Sequence, residues 1–322
     1  MIATGLWLGI LLAARIPANQ IRIQLSLLGP FDTCRLVKSL GKLLTSRTAL
    51  TLFMLVNLWV LSSAGAASAR EDFPPAESDA HPPHIFAPKS ARTSNKNLIY
   101  HGGIVFPASH VYVIYWGSVP SDVSDALATF FSGFGGSSYA NILTQYMRGG
   151  LRAPPSSTYL QLALDTSAPP VRSPKVSTIV NEACAAIGAG NPDPEGIYFV
   201  VTANFPKGGG FCAWHSYGTC NATSIPVVYL PNVTGVAPCD IPSDPTNPYG
   251  NGGQSVANIA AHELSESITD PFINAWFEQT GAEVGDKCET QFGGPVTLTD
   301  GTEWVLQEEW SNQNGGCIQS LP

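Results

Sequence analysis

The sequence is short of charged residues, which make up only 12% of its 322 positions against the usual quarter. This shortage does not predict disorder, because 44% of the residues are hydrophobic and 10% are aromatic. The chain is long enough to bury a substantial core. Its 31 glycines and 26 prolines predict many turns between short elements.

Basic residues are the scarcest charged type, and they are scarcer still beyond residue 70. Seven of the 16 Lys and Arg and one of the 24 Asp and Glu lie within the first 70 residues. The remainder therefore holds nine basic and 23 acidic residues, a net charge of about −14. This balance argues against nucleic acid and anionic membranes as partners, and it suits the binding of cations.

Long hydrophobic runs are also lacking, since the apolar run at 51–60 is too short to cross a bilayer comfortably. Basic residues precede it and Ala67-Ser68-Ala69 follows, which is the pattern of a secretory signal peptide cut after Ala69. A membrane anchor is the alternative. We expect residues 1–69 to be an export signal region and the mature protein to be secreted without a stable membrane anchor. We expect 70–98, rich in Pro and polar residues, to be a flexible lead-in, and 99–322 to be a single globular domain.

Several motifs of common enzyme classes are missing. No G-x-S-x-G, P-loop or G-x-G-x-x-G occurs, which argues against a serine hydrolase and against nucleotide chemistry. No C-x-x-C pair occurs, so a cysteine-rich zinc site is disfavoured. Six cysteines lie beyond residue 69, and an even number in an exported chain predicts three disulfides. We expect a local bridge among Cys212, Cys220 and Cys239 and another between Cys288 and Cys317.

Hydrophobic patterning predicts strands that alternate with helices. The predicted strands are 110–117, 158–166, 196–205 and 225–230, and the predicted helices are 121–134, 139–147, 176–190 and 255–269. Pro271 is expected to end the last helix. The tail, 282–320, is expected to form short strands and loops held by cysteines. The alternation is typical of an α/β fold, here one domain with a mixed sheet and flanking helices.

The helix predicted at 255–269 carries the pattern H-E-x-x-E. His262 and Glu266 are four residues apart, so they share one face of a helix and can grip one divalent cation. Glu263 lies beside them and can take a proton from metal-activated water. We therefore predict a zincin-like helix in which His262 and Glu266 are metal ligands and Glu263 is the general base. The alternative is an ordinary amphipathic helix whose carboxylates face water.

A third ligand must come from further along the chain. We prefer Asp286, because the neighbouring Cys288 would fix its loop, and we keep Glu283 and Asp270 as alternatives. Zn²⁺ is the expected ion, since histidine is a poor ligand for the Ca²⁺ that carboxylates otherwise favour. The glycine-rich segment 247–255, directly before the helix, is expected to be a loop that borders a substrate cleft.

His215 is expected in a loop bounded by glycines and cysteines after the strand at 196–205. Three interpretations stay open: a further metal ligand, a catalytic group that polarises a substrate carbonyl, or a hydrogen-bonding group within a disulfide loop. A nucleophilic pair of Cys212 and His215 is conceivable. It is disfavoured, because Cys212 is expected in a disulfide.

Four segments, 100–134, 196–220, 269–277 and 283–288, carry short motifs in a fixed order. They include a Tyr-His-x-Gly opening, a Gly-Phe-Cys loop with a nearby His, and a Thr-x-Pro-Phe-x-Asn run. Together they resemble the EXORDIUM, or phosphate-induced, family of secreted plant proteins. The resemblance implies an extracellular or cell-wall location and no settled biochemical activity. The plant proteins lack the pair found here at His262 and Glu263, so we interpret this chain as a divergent branch.

Two functions are compatible with these observations. The first is a secreted zincin-like metal-dependent hydrolase, most readily a peptidase, acting on a peptide or cell-wall substrate. The alternative is a non-catalytic extracellular or cell-wall protein that binds polysaccharide or a signalling partner. In that case exposed aromatic side chains would stack on sugars. The alternative for each of these side chains is that it packs in the core. The aromatic residues concerned are Tyr115, Trp116, Trp214, Trp276, Trp304 and Trp310.

Overall fold

The computed structural model describes residues 84–86, 96–107, 109–147, 157–240, 244 and 246–322. All of them belong to one compact unit, Phe73–Pro322. The predicted export signal at 1–69 lies outside the described residues. In the ranges that are described, no helix combines the length and the hydrophobicity needed to span a membrane.

The described residues form twelve strands, three α-helices and two 3-10 helices. The strands are β1 (His84–Phe86), β2 (Ile99–Tyr100), β3 (Ser109–Trp116), β4 (Ser157–Asp165), β5 (Gly196–Thr202), β6 (Ala213–Cys220), β7 (Thr223–Pro231), β8 (Trp276–Phe277), β9 (Val296–Thr297), β10 (Glu303–Trp304), β11 (Glu309–Ser311) and β12 (Gly316–Ile318). The α-helices are α1 (Ser121–Phe134), α2 (Val176–Ile187) and α3 (Gly250–Thr269), and the 3-10 helices are Ala140–Tyr146 and Asp286–Cys288.

Six of the strands form the main sheet, in the order β1-β6-β7-β5-β3-β4. The neighbours β7 and β5, β5 and β3, and β3 and β4 are parallel, whereas β6 is antiparallel to both β7 and β1. The predicted mixed α/β sheet with flanking helices is confirmed. All seven residues of β5 are buried, as expected for a strand in the interior of a sheet that is covered on both faces.

Helices cover both faces of this sheet. Alternation along β5 sends Ile197, Phe199 and Val201 into a core shared with α1 and α3. Tyr198 and Val200 point the other way, into a second core shared with α2. The three α-helices therefore sandwich the sheet, with α1 and α3 side by side on one face.

Helix α3 begins five residues earlier than the sequence predicts, so most of the expected glycine-rich loop is helical. The reason is close packing. A Cβ at Gly252 would lie 2.4 Å from the Thr234 side chain, and a Cβ at Gly253 would lie 2.9 Å from the carbonyl of Asp122 in α1. The glycines let the helix approach its neighbours, and they do not form the loop that was expected to border a cleft. The helix ends at Thr269, before Pro271, as predicted.

The expectation that His215 lies in a loop is wrong, because His215 is in the middle of β6. A hairpin links β6 to β7 through Asn221 and Ala222, which have φ angles of 48° and 61°. Two consecutive positive φ values are typical of the tight turns that match the twist of a hairpin. Sequence reasoning missed the strand because few β-branched residues mark it.

Two smaller elements also differ from the expectations. Residues 139–147 contain a 3-10 helix in place of an α-helix. Part of the predicted flexible lead-in, His84–Phe86, is the edge strand β1 and pairs with β6. This pairing places the backbone of His84 in the sheet.

Cysteines hold the second half of the chain as expected. Disulfides join Cys212 to Cys239 and Cys288 to Cys317, and the second fastens β12 to the 3-10 helix at Asp286–Cys288. The bridge between Cys288 and Cys317 is confirmed, and the local bridge expected among Cys212, Cys220 and Cys239 joins the first and the last of them. Cys184 and Cys220 remain thiols, so the structure forms two of the three expected bridges.

Candidate metal centre

Helix α3 presents His262 and Glu266 on one face, one turn apart. The distance from His262 Nε2 to Glu266 Oε1 is 3.2 Å, and both side chains are 1% exposed. The alternative interpretation, in which the carboxylates of this helix face water, is therefore wrong. Glu263 is also completely buried.

Asp286 completes a group of three with these two residues. Its Oδ1 lies 3.9 Å from His262 Nε2, and its backbone N–H donates a hydrogen bond of 3.1 Å to Glu266 Oε1. One atom from each of His262, Glu266 and Asp286 lies within 4.8 Å of the others. The disulfide of Cys288 with Cys317 anchors the short helix that carries Asp286, as the sequence analysis anticipated.

These spacings fit a single small cation. Zinc binds nitrogen and oxygen at about 2.0–2.2 Å, so tetrahedral ligands stand about 3.3–3.6 Å apart. The two separations from His262 Nε2, 3.2 Å to Glu266 Oε1 and 3.9 Å to Asp286 Oδ1, bracket that range. One imidazole with two carboxylates is a donor set that suits Zn²⁺.

Gln307 and Gly285 lie against the Nδ1 side of the His262 imidazole, opposite the candidate ligand atom Nε2. Gln307 Nε2 donates to the Gly285 carbonyl at 2.8 Å and lies 3.1 Å from His262 Nδ1. A Cβ at position 285 would lie 2.5 Å from Nδ1, so only glycine fits against the ring. If the second Gln307 N–H donates to Nδ1, the ring proton resides on Nε2. Metal binding at Nε2 then requires the amide of Gln307 to turn.

A second group of donors lies on the other side of Glu266. His215 Nε2 is 2.8 Å from Glu283 Oε2 and 3.6 Å from Glu266 Oε2. Alternation along β6 explains the position of His215, because its strand neighbours Ala213 and Tyr217 also face the core shared with α3. The three residues of this group are buried. Glu283, the first alternative for the third ligand, therefore belongs with His215, and Asp286 belongs with His262.

Asp270, the other alternative ligand, is in neither group of three. Its Oδ1 accepts hydrogen bonds from the backbone N–H groups of Asn274 and Ala275, at 2.6 and 2.7 Å. Its side chain also hydrogen-bonds to Glu283. Asp270 therefore fixes the turn after α3 and the orientation of Glu283.

Glu309 is a further buried carboxylate that sequence reasoning missed. Tyr139 donates a hydrogen bond of 2.7 Å to its Oε1. Burial raises the pKa of Glu309 to about 8, although His262 and Tyr139 oppose the shift. Gln307 was missed as well. Both residues come from the tail, more than forty positions after His262, where no sequence pattern links them to α3.

Six acidic side chains thus converge on two imidazoles, and we call them the carboxylate cluster. The cluster consists of Glu263, Glu266, Asp270, Glu283, Asp286 and Glu309. Burial raises the pKa of Glu283 well above its usual value, and the charges of Glu266 and Asp270 add to the shift. Burial lowers the pKa of His262, but Glu266, Glu263 and Asp286 more than offset this and leave it well above its usual value. In the absence of metal, the cluster is therefore driven to bind protons.

Solvent reaches the first group from one side. The side chain of Asp286 is 13% exposed, whereas His262 and Glu266 are each 1% exposed. The group is therefore accessible to solvent on the side of Asp286. Among the aromatic residues considered for sugar stacking, Tyr115, Trp214, Trp304 and Trp310 are at most 2% exposed. Those four belong to the core and are unavailable for stacking.

Cys212 is bonded to Cys239, so it cannot form a nucleophilic pair with His215. Comparisons with known proteins add no relative: no known family model, no curated protein and no solved structure matches the chain. The resemblance to the EXORDIUM family therefore stays a prediction from sequence. The function must be argued from the side chains.

Proposed function

We propose that the protein is a secreted zincin-like, metal-dependent hydrolase, and most readily a peptidase. The observation that carries the proposal is the group of His262, Glu266 and Asp286, whose ligand atoms lie within 4.8 Å of one another, with His262 and Glu266 buried. Zn²⁺ in this place would act as a Lewis acid and lower the pKa of a water molecule. The exported location rests on the disulfides and on the signal pattern of residues 1–69.

Glu263 has the role of general base in this proposal. It follows His262 directly on α3, is completely buried, and lies close enough to His262 to raise the pKa of the imidazole. A buried carboxylate that is not a ligand can take a proton from water and return it to a leaving amine. His215 no longer has the role of polarising a substrate carbonyl, because its Nε2 hydrogen-bonds to Glu283.

The burial of His262 and Glu266 also favours a competing function, a structural metal ion in a non-catalytic protein. His262 and Glu266 are as inaccessible as core residues, which also suits a structural ion in a non-catalytic extracellular protein. The two functions differ in what Glu263 does, since a structural ion has no use for a general base. Glu263 is therefore the residue that separates them.

The first experiment measures zinc in the purified mature protein by plasma mass spectrometry after dialysis. We expect at least one equivalent of zinc in the wild type, and less bound zinc in His262→Ala, Glu266→Gln and Asp286→Asn. Glu303→Gln removes an exposed carboxylate and is the matched control that keeps the metal. Absence of zinc, with stability unchanged by a chelator, would refute the proposal.

The second experiment measures cleavage of a library of quenched fluorescent peptides. Glu263→Gln keeps nearly the same shape and is expected to retain zinc while losing at least 100-fold in rate, since a general base contributes about 10²–10⁴-fold. If the wild type binds zinc but cleaves no peptide or other amide, the ion is structural. Equal rates for wild type and Glu263→Gln would lead to the same conclusion.

A further inference from the structure

Glu266 faces a histidine with each of its two carboxylate oxygens. Oε1 lies 3.2 Å from His262 Nε2, and Oε2 lies 3.6 Å from His215 Nε2. A carboxylate that uses its two oxygens for two different ligand sets has the geometry of a bridge. In centres with two metal ions, such bridged ions stand about 3.5–4 Å apart.

The second ligand set resembles the first in composition. His215, Glu266 and Glu283 supply one imidazole and two carboxylates, and one ligand atom from each lies within 4.8 Å of the others. The first set, built on His262, also has one imidazole and two carboxylates, with Glu266 common to both. Two histidines and several carboxylates on facing elements are the donors that proteins use to hold two metal ions in a shared centre.

The charge of the carboxylate cluster points the same way. If all six were ionised, these carboxylates would carry six negative charges, and five of them belong to residues that are at most 1% exposed. One divalent cation would balance two of the charges, whereas two cations would balance four. Buried charge is costly unless it is paired or coordinates a metal. A single zinc ion therefore leaves four of these charges to be compensated by protons or by a second cation.

We propose that His215, Glu283 and the second oxygen of Glu266 hold a second divalent cation, so that the centre is dinuclear. This inference rests on the proposed function for the first ion at His262. Asp270 positions the second set, because it hydrogen-bonds to Glu283 and is itself fixed by two backbone N–H groups. The distance of 2.8 Å between His215 Nε2 and Glu283 Oε2 is that of a hydrogen bond. It must open by about half an ångström to span a cation bound at about 2.1 Å.

The test is the stoichiometry of metal in the full mature protein. Metal-free protein is titrated with Zn²⁺ by calorimetry, and bound zinc is counted by mass spectrometry after removal of excess ion. We expect two equivalents in the wild type and in Glu303→Gln. Glu283→Gln and His215→Gln are expected to lose the ion of the second set and retain one equivalent at the first set. Asp286→Asn is expected to lose the ion of the first set and retain one equivalent at the second set. Glu266→Gln removes the bridge and is expected to weaken both sites.

A second measurement does not depend on variants that fold poorly. The metal-free wild type is titrated with Co²⁺ and followed by its visible and electron paramagnetic resonance spectra. Two successive spectral changes, with the second ion altering the signal of the first, are expected from ions that share Glu266.

The outcomes separate the two proposals. One equivalent in the wild type, lost in Asp286→Asn but kept in Glu283→Gln, overturns the second site and leaves the first. If the wild type binds one equivalent that is lost in Glu283→Gln and kept in Asp286→Asn, the dinuclear centre is overturned and the single ion is assigned to the set of His215. Absence of bound metal overturns both.

Discussion

At the scale of the residue, Glu266 determines what the centre can do. Its position one turn after His262 is set by the pitch of α3, and its Oε1 is oriented by the backbone N–H of Asp286. A histidine at this position would offer one ligand atom toward one ion, whereas the carboxylate offers two. Compared with the H-E-x-x-H pattern, H-E-x-x-E therefore offers a side chain with two ligand atoms, as the proposed dinuclear centre requires.

Gln307 is the residue through which the first site can be tuned. In the present contacts its Nε2 faces Nδ1 of His262, whereas a metal-bound imidazole needs a hydrogen-bond acceptor at Nδ1. We expect Gln307→Glu, which supplies an acceptor in either orientation, to bind zinc about tenfold more tightly, as partners of ligating histidines affect affinity by about 10–100-fold.

Competition with a fluorescent chelator measures this affinity, and Gln319→Glu, a glutamine of the tail that does not contact His262, is the control. Weaker binding in Gln307→Glu would show that Nδ1 is not the donor in the metal-bound state.

The sequence predicted that His262, Glu266 and Asp286 lie together, but it did not predict the rest of the carboxylate cluster. His262, Glu263 and Glu266 are adjacent on a helix, so the spacing alone places them, and a disulfide next to Asp286 made its loop a reasonable partner. Glu309 and Gln307 are brought in by the tertiary packing of the tail. His215 was known as a candidate, but its role depended on the face of a strand that the sequence did not predict.

At the scale of the element, the start of α3 depends on two glycines. Alanine normally favours a helix over glycine by about 1 kcal/mol. At Gly253, however, a Cβ would lie 2.7 Å from the Cβ of Tyr249 and 2.9 Å from the carbonyl of Asp122. We expect Gly253→Ala to lower the free energy of unfolding by about 1–3 kcal/mol, because α1 and α3 must separate.

Urea denaturation measures this loss, and Gly294→Ala, where a Cβ would meet nothing within 4 Å, is the control. A Gly253→Ala protein as stable as the wild type would mean that the glycines are not needed for packing. The sequence predicts a loop here because glycine is common in loops. Glycine is also common where two elements pack closely, which is the case at the start of α3.

Helix α2 and strand β6 carry the remaining cysteine pair. The thiols of Cys184 and Cys220 are hydrogen-bonded, and Cys184 Sγ also contacts the carbonyl of Thr219 at 3.8 Å. In an oxidising compartment, exchange with a disulfide oxidant would remove both thiol hydrogens, join the two sulfurs and reduce the oxidant. We expect exported protein to contain this third disulfide, as the even count of cysteines indicates.

Alkylation of the unfolded, unreduced protein followed by intact-mass measurement tests this expectation. The exported wild type should take up no label, and Cys184→Ser should take up one at Cys220. Two labels on the exported wild type would show that the pair stays reduced.

At the scale of the whole molecule, the fold buries much of its negative charge while having few basic residues. The α/β fold and four of the six strands of the main sheet followed from hydrophobic patterning, because β3, β5 and β7 are long apolar segments. Patterning could not reveal that a net charge of about −14 beyond residue 70 is partly internal. Because part of the negative charge is buried, the stability of the fold depends on the protons or cations that neutralise the carboxylate cluster.

Stability should therefore depend on pH in opposite ways with and without metal. Without metal, the pKa of Glu309 is raised to about 8 by burial, and the pKa values of Glu283 and His262 are also raised. The folded state then binds more protons than the unfolded state. Stability is greatest below the unfolded pKa values and falls as pH rises from about 4.5 to 8, with a slope for each group of at most about 1.4 kcal/mol per pH unit.

Denaturation at pH 5 and pH 8 in a chelator measures this decrease. Glu309→Gln, which can still accept the hydrogen bond from Tyr139, should reduce it. With saturating zinc the ligands are held deprotonated, and the decrease should disappear or reverse, because metal binding strengthens as protons leave the ligands. Metal-free stability that does not fall between pH 5 and 8 would mean that the carboxylate cluster is already ionised in the folded state at pH 5, and that its burial does not require a bound cation.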